Sequence, residues 1–235
     1  MDRSGGYLAP EGFEGHRGRH LEDRRGLAWH HGAAAFSRLD GDKGCAFLWG
    51  DALPEDDDQA ITAESVYRAV SAGGARGEGA RSLARHSGLY VWIFMAKDGW
   101  VEAGCDPFGI FPVYYFHEKP AFGFASGLAA LRGLPGYDAS VDTVGMFRYM
   151  IENGCSGPRT LERSARRLEP GCSLRFDGRD GRLCLFQHSP LRPDVNPKLS
   201  FDEAVELTIT ATRKAVRRHV GLARKTHRKK LPETF

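Results

Sequence analysis

Between Gly104 and Phe116 the chain reads GCDPFGIFPVYYF: an acid, a tight glycine turn, then a proline-interrupted aromatic strand. Two apolar runs, Leu89–Ala96 and Trp100–Cys105, precede it, and Ala121–Ala125 follows. Lys97-Asp98-Gly99 joins the first two runs, and Asp-Gly supplies the positive φ that a tight hairpin turn requires. A polar turn at His117–Pro120 separates Ile110–Phe116 from Ala121–Ala125. Four consecutive strands rich in aromatic and β-branched residues predict the core sheet here. Dense hairpin signals favour antiparallel pairing, because a parallel doubly wound sheet needs longer helical crossovers.

The flanks extend this pattern. Ala33–Leu39 and Cys45–Trp49 enclose the turn-forming cluster Asp40–Gly44, which predicts another hairpin. Asp56-Asp57-Asp58 marks a solvated loop. Val66, Tyr67 and Val70 give Ala63–Ala72 helical spacing, and Gly73-Gly74 stops that helix. Asp142 is placed to cap a helix over Thr143–Glu152, with Met146, Phe147, Met150 and Ile151 on one face and Gly154 at the C′ position. Glu169-Pro170-Gly171 turns the chain into Cys172–Phe176, and Asp177–Gly181 returns it along Arg182–Gln187. Pro190, Pro193 and Pro197 make 189–199 a linker. Ser200 with Glu203 forms a capping box opening a helix over 201–220. Val205, Ile209, Val216 and Val220 trace its apolar stripe, with Thr212 as the polar member, and that stripe needs a partner surface. The chain thus divides into an irregular lead-in (1–31), a domain (32–188), a linker (189–199) and a helix with a basic tail (200–235).

Composition narrows the function classes. With 41% hydrophobic and 11% aromatic residues, the 235-residue chain can bury a substantial core. A net charge of +3 is too small to argue for nucleic acid. No aromatic residue interleaves the basic cluster between Arg213 and Lys230, so base stacking is unsupported. The longest apolar stretch falls far short of the ~20 residues of a membrane span. The start Met-Asp-Arg-Ser-Gly-Gly carries no readable signal peptide. Five widely spaced cysteines without a CxxC pair suit a reducing cytoplasm. His30-His31 point to opposite faces of an extended segment with no further ligand at suitable spacing, so no metal site is expected.

GCDPFGIFPVYYF followed by FGFASGLAALRGL resembles the RDxxGxxPLYY…ASE signature in the glutaminase domain of the asparagine synthetase family of class II glutamine amidotransferases. Asp106, Gly109, Pro112 and Ser126 are the residues that carry it. GLYVWIFMAKDG, the helix near Val144–Ile151, Arg159-Thr160-Leu161 and Arg167–Gly171 follow the family order. The linker and capped helix look like the lead into the family's synthetase half. The resemblance covers roughly residues 85–220. It implies an Ntn-hydrolase-like α+β fold, two antiparallel sheets between helical layers (αββα). The implied chemistry is hydrolysis of the glutamine side-chain amide by an N-terminal cysteine whose own α-amine acts as base.

The sequence departs from that pattern. It starts Met1-Asp2-Arg3, and its first cysteine is Cys45, inside a predicted strand, where the backbone nitrogen is an amide and no base. No catalytic residue is therefore assigned. Carried over from the resemblance, Arg38 stands near the arginine that clamps the substrate α-carboxylate. Leu48-Trp49-Gly50-Asp51 replaces the family's NGE, so Trp49 stands where an oxyanion-hole asparagine would be, while Gly50 and Asp51 fit. Glu64 is placed to hold the substrate α-amine. Asp106 is read as a structural turn cap. His16-Arg17-Gly18 resembles the family's HRG-PD loop, which implies a late start to the chain; coincidence in an Arg/Gly-rich segment is the alternative. The ATP pyrophosphatase loop SGG-x-DS is absent after the 201–220 helix, so no cofactor is expected for this chain, and ATP and Mg are implied only for the missing synthetase half. The expectation is a degenerate glutaminase-like domain in the cytoplasm, inactive alone. The alternative is a module docking through 201–220 on a separate synthetase domain or subunit, or on a peptide substrate.

Overall fold

The computed structural model describes residues 19–23, 26–30, 36–53, 61–72, 78–119, 121–132, 134, 136–155, 157–188 and 198–228. A hairpin of β1 (Arg19–Asp23) and β2 (Gly26–His30) opens them. This corrects the expectation of an irregular lead-in for that stretch. β3 (Phe36–Gly41) and β4 (Gly44–Leu53) form the predicted hairpin, with Gly41 opposite Gly44 at its tip. α1 (Ala63–Ala72) follows as the apolar spacing requires. α2 (Glu78–Leu83) is a helix that the sequence did not signal, since Ala80 and Leu83 are its only buried residues. Asp56–Asp58, Gly73-Gly74, His16–Gly18 and most of the linker lie outside the described residues.

β5 (Ser87–Ala96) and β6 (Trp100–Cys105) continue from β4. β7 (Tyr114–Glu118) and β8 (Ala121–Ala125) form the next hairpin. The four strands do not share one sheet. β5 and β6 sit in a six-stranded antiparallel sheet ordered β11-β10-β6-β5-β4-β3, completed by β10 (Cys172–Asp177) and β11 (Arg182–Gln187). β7 and β8 belong to a three-stranded sheet with β9 (Arg166–Arg167). Nor does a strand begin at Ile110: residues 106–113 form a loop, and Ile110 is exposed.

Period-2 alternation then builds the layers. Phe47, Trp49, Val91, Ile93, Ala103 and Cys105 point from the large sheet toward Tyr115 and Phe122 of the small one and Val113 just before it, filling the seam between the sheets. Their neighbours Ala46, Leu48, Tyr90, Trp92 and Phe94 face Ala63, Val66 and Val70 of α1 and Ala80 and Leu83 of α2. On the far side, α3 (Leu128–Leu131) covers β7 and β8. The layer order is αββα.

α4 (Thr143–Glu152) is capped by Asp142, whose carboxylate accepts the amides of Val144 and Gly145. Arg159 donates to the same carboxylate at 2.7 Å. Burial alone would raise the Asp142 carboxyl, but the Gly145 amide and Arg159 hold it below its ordinary value. The helix ends on Asn153 at φ 53°, so the left-handed position falls on Asn153 and not on Gly154. Asp142→Ala removes the cap and strands Arg159, and is expected to lower stability by about 1–2 kcal/mol in urea unfolding. α5 (Phe201–Arg228) carries the Ser200–Glu203 capping box, with Ser200 Oγ 2.7 Å from Glu203 Oε2, and runs beyond the expected 201–220. Among the described residues no helix is long and apolar enough to cross a membrane.

Candidate functional site

The loop between β6 and β7 is organised by one side chain. Asp106 is fully buried, and its Oδ1 accepts the amides of Phe108 and Ile110, each at 3.1 Å. Oδ2 accepts the amide of Phe111 at 2.8 Å. Such an acid satisfies donors that a folded-back loop would otherwise bury unpaired. Gly109 sits at φ 60°, and its carbonyl accepts from Arg167 Nη2 at 2.8 Å. The Leu168 amide reaches the Val113 carbonyl at 2.7 Å, tying the loop's end to the segment after β9.

This loop forms one wall of a shallow concavity of about 270 Å³, lined by Leu89, Ile110, Phe111, Pro112 and Ser126. It opens at one end of the seam between the sheets. Gly50 and Asp51 are in register with Tyr90 and Leu89 and so lie beside it. Gly50 takes φ 89°, and a Cβ there would stand 2.0 Å from the Leu89 carbonyl oxygen, so the close approach of β4 to β5 requires glycine. Gly50, Asp51, Asp106, Gly109, Pro112 and Ser126 thus gather at one end of the seam.

Arg38 and Glu64 do not join them. Arg38 pairs across the sheet with Phe47, four residues before Asp51, which is about 13 Å along a strand. Its guanidinium donates to Asp40 Oδ1 at 2.7 and 3.0 Å and stands 5.8 Å from the Phe47 ring centre. Glu64 is on α1, across the large sheet from the seam, ion-paired with Arg68. Trp49 faces the seam and stacks on Phe47 at 5.6 Å.

Three polar groups had no sequence signal. Ser173 Oγ and His188 Nε2 approach to 2.6 Å, but Ser173 is fully buried, which leaves no path for a substrate. Burial, with Arg81 adding, pushes the His188 imidazole below its ordinary value. Glu102, on β6, lies buried on the face toward the helices, 3.9 Å from Arg175, and burial raises its carboxyl to about 7. The thiols near the seam are poor nucleophiles: burial pushes Cys105 up to about 12 and raises Cys172. Among the described residues no group of three or more His, Cys, Asp or Glu could hold a metal ion.

The family model described as a glutamine amidotransferase domain matches residues 70–185. No curated protein matches the sequence. Among solved structures, the allosteric regulatory enzyme of purine biosynthesis is similar at 16% identity and a TM-score of 0.39, over 66% of this chain and 30% of that one. Glutamine phosphoribosylpyrophosphate amidotransferase from B. subtilis, complexed with ADP and GMP, is similar at 15% identity and a TM-score of 0.39, over 66% and 31%. The chain spans less than a third of the length of either. Residues 70–185, which contain the Asp106 loop and most strands of both sheets, are thus the part of the chain that matches a glutamine amidotransferase domain.

Proposed function

We propose that this is a glutaminase-like scaffold that does not hydrolyse glutamine and that serves an ATP-dependent amide-forming half of the asparagine synthetase type. The dispersal of the substrate-holding positions carries the reading. Arg38 is committed to Asp40, Glu64 stands across the sheet, and the concavity is lined by Leu89, Ile110, Phe111 and Pro112 with Ser126 as the one polar side chain. A glutamine α-carboxylate and α-amine need opposite charges close together, and among the described residues neither an arginine nor an acid lines this concavity. Trp49 occupies the expected oxyanion-hole position with an indole packed on Phe47. In this proposal ATP and Mg belong to the synthetase half.

A second reading, a docking module for a separate synthetase partner or peptide substrate, is supported by α4. Met146, Phe147, Met150 and Ile151 are all exposed on it. The first reading is tested by ammonia release from glutamine with the purified chain. The expected rate is that of buffer alone; a higher rate that disappears in Cys45→Ala would overturn it.

A further inference from the structure

α5 carries an exposed apolar stripe of Phe201, Val205, Ile209, Val216 and Val220, with Thr212 completing it. Its intervals are four, four, three, four and four residues, a series that reads the same in both directions. Laid antiparallel on an identical helix, Phe201 meets Val220, Val205 meets Val216, and Ile209 meets Thr212. The stripe therefore matches a reversed copy of itself over about 30 Å of helix.

Charge selects that partner. Asp202, Glu206, Arg213 and Arg217 stand along one edge of the stripe, two acids followed by two bases. Asp202 with Glu206, and Arg213 with Arg217, are four residues apart on one face, so like charges repel within a lone helix. The helix dipole accounts for Asp202 in the first turn, but not for Arg213 and Arg217 in the interior of a helix running to Arg228. None of the four makes an ion pair with another described residue. In an antiparallel pair the same edge faces itself, which sets Asp202 opposite Arg217 and Glu206 opposite Arg213, each twice by symmetry. An anionic membrane fits less well, since the acids share this edge with the bases.

We propose that α5 pairs antiparallel with α5 of a second copy of this chain, making the protein a two-fold dimer through this helix. Sedimentation velocity on the full chain reads the result, with far-UV circular dichroism checking that each variant keeps its helices. The wild-type chain is expected to be dimeric and Ile209→Asp monomeric. Arg213→Glu with Arg217→Glu gives an all-acidic edge, and Asp202→Arg with Glu206→Arg an all-basic one. Each double variant is expected to self-associate about tenfold more weakly or worse, while an equimolar mixture forms heterodimers. A wild-type chain that stays monomeric, alone or on anionic vesicles, overturns the proposal. So does a dimer that these substitutions leave unchanged, or a mixture that forms no heterodimer.

Discussion

Asp106→Ala is expected to remove about 3–6 kcal/mol of stability, enough to leave the domain largely unfolded in mild urea. The carboxylate accepts three amides of one loop, and the side chain is fully buried. Hydrogen bonds to a charged acceptor are worth more than neutral ones, and alanine orphans all three donors together. The loop also ties the β6–β7 connection to Arg167 and Leu168 of the small sheet's side, so its loss loosens the packing of one sheet on the other. Asp106→Asn separates geometry from charge. It keeps Oδ1 for Phe108 and Ile110 but turns an amide NH₂ toward the Phe111 amide, a donor against a donor, for an expected loss of about 1–3 kcal/mol. Urea midpoints of the three chains check this order. If Asp106→Ala unfolds within about 1 kcal/mol of the wild type, the cap is not what holds the loop.

The local part of this fold was legible and the non-local part was not. The Asp40–Gly44 turn, the Lys97-Asp98-Gly99 turn, the Asp142 cap and the Ser200–Glu203 box each act within a few residues, and their positions could be read directly. Which sheet a strand joins depends on distant partners. β6 pairs with β5 beside it but also with β10, and that second pairing draws the meander apart into two sheets. Ile110–Val113 looks like strand because it is apolar and aromatic, but the Asp106 carboxylate holds its amides in a loop. The candidate site shows the same divide. Asp106, Gly109, Pro112 and Ser126 converge because one compact motif and its hairpin place them. Arg38 and Glu64 fall apart because strand register sets Arg38 opposite Phe47, too far along the sheet, and helix placement sets Glu64 on the other face.

Glu102→Gln is expected to stabilise the protein by about 3 kcal/mol at pH 8 and by less than about 1 kcal/mol at pH 5. Glu102 lies between Phe94 and Arg175 in the large sheet, and its Oε1 makes no hydrogen bond among the described residues. Removal from water raises its carboxyl from 4.5 to about 7; Arg175, at 3.9 Å, pulls the other way and does not win, because its guanidinium lies 3.8 Å over the Trp100 ring and makes no close bond to the acid. The folded state therefore keeps this proton where the unfolded chain has released it. That contribution is complete below the unfolded value near 4.5 and is lost as pH rises through about 7. A glutamine is neutral throughout and nearly isosteric with the protonated acid, so its stability lacks this fall. Urea unfolding of both chains from pH 5 to pH 8 isolates the effect as a difference, since every other titrating group is shared. A constant difference across that range, or a variant less stable than the wild type at pH 8, would mean that Glu102 is ionised and satisfied in the folded protein. Arg175→Met sharpens the test: without the nearby cation the carboxyl should climb further, and the wild-type loss above neutral pH should grow.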